Sequence, residues 1–149
     1  MELIITLDTA KKFANVLAKV VKPNDVICLN GNLGTGKTTF TQFFAAALGI
    51  KEIVNSPTFN IIKCYFNEPL NLYHIDAYRL EGNTFDIGLD EYIYGEGVCV
   101  IEWAEFIKDF IPNNALNINI ERIDENTRKY TLSGNDNMIK EVKKIWETI

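Results

Sequence analysis

Two short stretches of the chain are apolar at every position, Val26-Ile27-Cys28-Leu29 and Val98-Cys99-Val100-Ile101. A strand wetted on one face alternates apolar and polar residues, so an unbroken apolar run predicts a strand covered on both faces. Ahead of the first run, Phe13, Val16, Leu17, Val20 and Val21 recur at helical spacing. Asp8 or Thr9 is expected to cap that helix, because either side chain can accept an early backbone N–H. Pro23-Asn24-Asp25 is expected to end it and turn the chain. After the first run comes a glycine-rich loop, Gly31 to Gly36, and then a helix predicted over Lys37 to Leu48 and stopped by Gly49.

The middle of the chain is less regular. Thr58 to Phe66 and Leu72 to Ile75 have strand character, with Asn67-Glu68-Pro69 as the turn between them. Gly82 to Tyr94 reads as a helix or a turn-rich segment with acidic positions, and Glu102 ends the second apolar run. Further on, Leu116 to Ile120 and Lys129 to Leu132 read as strands and Ser133 to Asn137 as a turn. A closing helix is expected to bury Ile139, Val142, Ile145 or Trp146, and Ile149. Buried strands alternating with helices predict an α/β layered fold with a largely parallel sheet, to which the strand-rich tail can add antiparallel edges. No repeat, low-complexity tract or Pro/Gly-rich linker interrupts the chain, so residues 1–149 are expected to form a single domain.

Composition narrows the class. Hydrophobic residues make up 47% and charged residues 23% of 149, which excludes a disordered or fibrous chain. A formal net charge of −5 gives no overall field toward nucleic acid or acidic lipid, so contact with RNA needs a local patch or a partner. No run approaches the roughly 20 apolar residues of a membrane span. The segment Met1 to Asp8 lacks the cationic start of a signal or transit peptide. Three widely spaced cysteines, Cys28, Cys64 and Cys99, with no CxxC pair and one histidine, argue against structural zinc. The expected setting is reducing and cytoplasmic, with no membrane.

Gly31-Asn32-Leu33-Gly34-Thr35-Gly36-Lys37-Thr38 fits G-x-x-x-x-G-K-[ST] at every fixed position, between a buried strand and a helix. Glycines let the backbone curl so that successive N–H groups meet phosphate oxygens. The helix opening at Lys37 offers its unpaired N–H groups and positive dipole end to the same anion. Lys37 adds a point charge toward the β- and γ-phosphates, and Thr38 offers a hydroxyl to Mg2+, a cation that prefers oxygen. The bland alternative is a glycine-rich turn without a ligand.

Such a loop works with a carboxylate at the end of a neighbouring buried strand. Glu102 ends the purer apolar strand and is the first candidate for the metal. Asp76, after Leu72-Tyr73-His74-Ile75, is the second, either catalytic or behind the metal. In an extended segment His74, Asp76 and Tyr78 would share a face. The alternative for each acid is a strand-end cap or a surface ion pair, and a lone histidine is as easily a packed, hydrogen-bonded residue. Ser56-Pro57-Thr58 reads either as a loop that feels the γ-phosphate or as a plain entry into a strand. Lys140, Lys143 and Lys144 lie on one helical face, which reads as solvated rather than as an RNA patch.

Together these pieces resemble one family, the TsaE (YjeE) ATPases of bacterial tRNA threonylcarbamoyladenosine synthesis. The residues that carry the resemblance are Gly31 to Thr39, Ser56-Pro57-Thr58-Phe59, His74-Ile75-Asp76-Ala77-Tyr78-Arg79-Leu80, Gly88-Leu89-Asp90-Glu91-Tyr92 and Ile101-Glu102-Trp103. They run in order over about residues 9 to 132. Asn32 stands where the family usually has Asp, and Thr35 where it usually has Ala. The resemblance implies a P-loop NTPase-like three-layer fold, with a mostly parallel mixed central sheet and helices on both faces. It implies ATP or ADP wrapped by Leu33, Gly34, Thr35, Gly36, Lys37 and Thr38, with Thr39 following, and Mg2+ held by Thr38 and Glu102. Asp76 would sit near the γ-phosphate and orient the attacking water, with Lys37 as the other catalytic residue. Thr9 and Arg128 would flank the base or sugar. The implied partners are TsaD and TsaB, with tRNA reached through their complex, and the ATP cycle would support repeated threonylcarbamoyl transfer beside the anticodon.

Two other readings compete. A small-molecule or nucleoside kinase would need an acceptor pocket and a lid supplying arginines. The chain has three, Arg79, Arg122 and Arg128, and no arginine-rich segment. A GTPase would need an N-K-x-D segment to read guanine, and none is present. A nucleotide-gated binding module with negligible turnover alone overlaps with the favoured reading.

Overall fold

The computed structural model describes residues 1–57, 61–80 and 88–149. Their strands form a seven-stranded sheet in the order β1-β7-β6-β2-β5-β4-β3. The strands are β1 (Glu2–Ile5), β2 (Val26–Asn30), β3 (Ile62–Tyr65), β4 (Leu72–Asp76), β5 (Val98–Glu102), β6 (Leu116–Asp124) and β7 (Thr127–Ser133). The four central strands, β6, β2, β5 and β4, run parallel, and β1, β7 and β3 add antiparallel pairings at the two edges. The two apolar runs, β2 and β5, are adjacent at the middle, where both faces of a sheet are covered.

Alternation along the strands sorts the core into two layers. Ile27, Leu29, Leu72, Val98 and Val100 face one side, packed beneath α1 (Leu7–Val20), α2 (Lys37–Ala47) and α4 (Asp136–Trp146). Cys28, Ile75, Cys99 and Ile101 face the other, covered by α3 (Leu89–Ile93) and by 3-10 segments at Tyr78–Leu80 and Ala104–Phe110. Helical elements therefore lie on both faces, long on one and short on the other. The long-helix side is knit by Phe13 of α1, whose ring meets Phe40 of α2 at 5.9 Å and Tyr130 of β7 at 5.4 Å. Such aromatic contacts are worth roughly 0.5–1.5 kcal/mol each beyond the area they bury. They hold the helix that follows the glycine loop against the sheet.

Several expectations are corrected. The cap of α1 is Thr6, not Asp8 or Thr9; Thr9 sits at the third helical position and completes a capping box. Thr9 Oγ1 accepts the Thr6 N–H at 2.7 Å, while Thr6 Oγ1 accepts the Thr9 N–H. The segment Met1 to Asp8, unassigned by its pattern, contributes edge strand β1. The strand expected over Thr58 to Phe66 is limited to β3; residues 58–60 lie outside the described residues, as do 81–87 of the Gly82 to Tyr94 segment. Tyr78 leaves β4 and starts a 3-10 turn, because Asp76 Oδ1 accepts its N–H at 3.0 Å. The turn expected to reach Asn137 stops at Asn135, whose side chain accepts the Met138 N–H and caps α4. α4 buries Val142 as expected, together with Met138; Ile139, Ile145 and Trp146 are half-buried against the core, and Ile149 is exposed. Lys140, Lys143 and Lys144 are exposed, as a solvated face would be. Among the described residues no helix is long and apolar enough to cross a membrane.

Candidate functional site

The glycine loop leaves the carboxyl end of β2 and opens α2. Gly36 caps α2 in the left-handed region, at φ 101°, with no side chain to satisfy the first-turn N–H groups. An added Cβ there meets nothing within 4 Å, so the backbone angle rather than space calls for glycine. At Gly31 the reason is space: a Cβ would lie 2.7 Å from Ile120 O and from Thr35 Oγ1. The two departures from the family pattern touch each other. The Thr35 hydroxyl donates to the backbone carbonyl of Asn32 at 2.9 Å, alongside the Thr35 N–H, and closes the loop's inner turn.

Lys37 is buried, 6% exposed, although it carries an ammonium group. Its Nζ donates to Gly31 O at 2.9 Å and lies 4.3 Å from the centre of the Trp103 ring. The cation is thus held inside the curl of the loop, stacked on an aromatic face. Trp103 itself adopts φ 58°, a left-handed conformation that costs a bulky residue energy and turns the chain sharply after β5. Its position after a strand-ending acid was visible in the sequence; its contact with the loop lysine was not.

Register brings the two acids together. Asp76 and Glu102 are direct partners across the parallel pair β4 and β5, and Glu102 is also in register with Leu29 of β2. Both acids alternate onto the face that α2 covers. Glu102 is nearly buried, and its Oε2 accepts from His74 Nε2 at 2.8 Å. A carboxylate can only accept, so the imidazole proton on that bond belongs to Nε2. Among the described residues Glu102 Oε1 has no hydrogen-bond partner, and His74 Nδ1 is buried without one. Asp76 is held differently. Its Oδ1 takes the Tyr78 N–H, and Oδ2 accepts from Ser56 Oγ at 3.4 Å. Ser56 therefore touches an acid of the site, while Thr58 and Phe59 of the same stretch lie outside the described residues.

Besides an open one along Gly31 to Thr35 and β6, two cavities flank the loop. One, of about 430 Å³, is lined by Ile5, Leu7, Gly36, Thr39, Phe40 and Arg128 among others. The other, of about 540 Å³, is lined by Leu33, Pro57, Ile61, Asp76, Tyr78 and Trp103, together with Arg79. The loop runs between them. Arg128 reaches the loop itself: its Nε donates to Thr35 O at 2.9 Å, and its guanidinium also caps the carbonyls of Asp124 and Thr127. In that hairpin the Asn126 N–H and the Thr127 hydroxyl hold the Asp124 carboxyl below its ordinary range. Thr9, by contrast, does not line the first cavity; its hydroxyl is committed to Thr6, and Thr6, Leu7 and Asp8 reach the cavity instead.

The donors at the loop suit a small, hard cation. They are the Thr38 hydroxyl on the first turn of α2, the open Oε1 of Glu102, and no soft ligand. Among the described residues no three His, Cys, Asp or Glu side chains cluster as a metal cage.

Comparisons with known proteins agree on one family. Residues 5–130 match the family model described as threonylcarbamoyl adenosine biosynthesis protein TsaE. A Bacillus subtilis tRNA threonylcarbamoyladenosine biosynthesis protein TsaE is 49% identical over 126 residues, 85% of this chain and 80% of that protein. The protein of the same name from Aquifex aeolicus is 42% identical over 120 residues, 79% of this chain and 84% of its own. The crystal structure of Bacillus subtilis YdiB superposes with a TM-score of 0.82 at 38% identity, covering 97% of this chain and 94% of that one.

Proposed function

The chain belongs to the TsaE family, and from that premise we propose that it binds and hydrolyses ATP in support of threonylcarbamoyl modification of the tRNA adenosine beside the anticodon. It would act with TsaD and TsaB in the cytoplasm, touch tRNA through their complex, and hydrolyse ATP weakly alone. Residues 1–149 would serve as a single ATPase domain.

The observation that carries this reading is the register of Asp76 with Glu102 beside a curled loop that buries its lysine. The amides of Leu33 to Thr38 would wrap the phosphates, where fixed N–H dipoles meet charge without reorganising. The Lys37 ammonium would leave Gly31 O for the β- and γ-phosphate oxygens, which are better partners than a neutral carbonyl. The base and sugar would occupy the cavity lined by Leu7, Thr39, Phe40 and Arg128, so that Arg128 but not Thr9 would flank them. The γ-phosphate would then point toward the Asp76 side. Thr38 and Glu102 would hold Mg2+, which when bound would neutralise charge on the phosphate oxygens. Asp76 would orient the water whose oxygen bonds to the γ-phosphorus as the bridge to ADP breaks, and its carboxylate would take the proton that water gives up.

Calorimetric titration with MgATP, and phosphate release measured alone and with TsaD and TsaB, test the proposal. Binding and partner-stimulated release are expected, and Lys37→Ala should abolish both. Glu102→Ala should lower Mg2+-dependent release more than nucleotide binding. Normal affinity and turnover in Lys37→Ala would overturn the loop's role. Phosphate transfer to a small acceptor would turn the assignment to a kinase.

A further inference from the structure

We propose that His74 is the positioning residue for Glu102: through Nε2 it fixes one carboxylate oxygen and so presents the other to the cation. The inference rests on the reading of Glu102 as the metal-site acid.

The argument starts from the register. His74 pairs with Val100 on β5, which places Glu102 one alternation further along the same face and within diagonal reach of the imidazole. The ring is fully buried and makes the 2.8 Å bond to Glu102 Oε2. Its other nitrogen, Nδ1, has no partner among the described residues. Buried polar atoms are nearly always satisfied, and an apolar side chain would fill this space without leaving a bare nitrogen. Packing alone therefore does not account for a histidine here. The bond to Glu102 does. A carboxylate on an unbranched stem has rotamers to lose, and one fixed donor removes most of them while leaving Oε1 open. Groups that orient a metal ligand from behind in this way affect metal affinity strongly even though they never touch the ion.

The test uses the full chain with Mn2+ as the probe. Mn2+ binding to the protein–ADP complex is read by electron paramagnetic resonance, and ADP affinity is measured separately in EDTA. Glutamine places an amide N–H near the position of Nε2, whereas asparagine places it near Nδ1 and leucine has none. His74→Leu and His74→Asn are expected to weaken Mn2+ binding by roughly 10–100-fold, with metal-free ADP affinity unchanged. His74→Gln should recover most of the loss. If the leucine variant does not fold, the comparison of asparagine with glutamine decides alone. Equal Mn2+ affinity in those two variants, or wild-type affinity in all, would overturn the proposal. Glu102→Gln separates it from the reading beneath it. Should that variant bind Mn2+ like wild type, Glu102 is not the metal acid; should it lose Mn2+ while the histidine variants keep it, only the positioning role falls.

Discussion

The Nε of Arg128 donates to the carbonyl of Thr35 at 2.9 Å across 93 positions of sequence, and so ties the β6–β7 hairpin to the glycine loop. A trans peptide points its carbonyl and its N–H in opposite directions. Pinning Thr35 O therefore aims the Gly36 N–H away from the arginine. The family resemblance implies Arg128 as a contact to base or sugar; what the fold shows is that it braces the loop.

Arg128→Ala should free that peptide. A hydrogen bond to a charged group is worth about 1.5–3 kcal/mol, so nucleotide affinity is expected to fall about tenfold or more. Arg128→Lys should not restore it, since a single ammonium cannot span the three carbonyls that the guanidinium bridges. Calorimetric titration of the two variants with ADP checks both statements.

Gly31→Ala should destabilise the fold itself. The new methyl would press against the Ile120 carbonyl, which belongs to a paired strand and cannot swing aside. Overpacking of this kind costs about 1–3 kcal/mol. Gly36→Ala meets open space and only a strained φ, worth roughly 1–2 kcal/mol. Urea midpoints should therefore fall in both, and nucleotide binding should suffer chiefly in the second.

Asp76→Asn should separate binding from turnover. Asparagine keeps an oxygen to accept the Tyr78 N–H but no longer carries the negative charge that would draw a proton from water. Loss of a positioned base typically costs about 100- to 10,000-fold in rate. MgATP affinity should change little, and single-turnover phosphate release with TsaD and TsaB present would measure the difference. An undiminished rate would remove Asp76 from the chemistry.

Alkaline stability should be limited by buried thiols and a phenol. Burial pushes the Cys28 thiol up to about 12 from 9.0, and Cys99 well above its ordinary value. Burial likewise moves the Tyr130 hydroxyl from 10.0 to about 12. A folded pKa above the unfolded one means the native state keeps protons that the unfolded chain releases. The stability is whole below the unfolded values and is lost as pH rises from about 9 toward 12, by about 1.4 kcal/mol per pH unit for each such group. Urea midpoints should drop steeply across that window, and Cys28→Ala should make the slope shallower.

The parts of the fold that could be read in advance are those where one physical cause dominates. β2 and β5 were plain because strands covered on both faces admit only apolar residues. The loop was plain because its glycines, lysine and threonine stand at the spacing that phosphate binding would require. β1 was not, since an edge strand of four residues with Ile4 63% exposed shows no usable alternation. β6 and β7 run further than their apolar cores because Glu121, Arg122 and Asp124 are exposed and polar yet still paired, with Ile123 exposed at the irregularity between them. Thr6 lost the cap assignment because Asp8 and Thr9, close behind it, are equally able to accept an early helix N–H. Glu102 and Asp76 were recognisable as strand-end acids. What Glu102 touches was not, because a diagonal contact between β4 and β5 depends on register, and register is a property of the whole sheet.

The placement of Trp103 carries a practical consequence. The chain has two tryptophans, and the other, Trp146, packs 6.2 Å from Phe13 on the long-helix side. A Trp146→Phe chain would retain one indole, with the Lys37 ammonium 4.3 Å from its ring centre. An indole's emission colour follows the electric field across it, so withdrawal of that amine toward an arriving anion should shift the fluorescence without any attached dye. The protein thus contains its own optical gauge of occupancy, usable in real time.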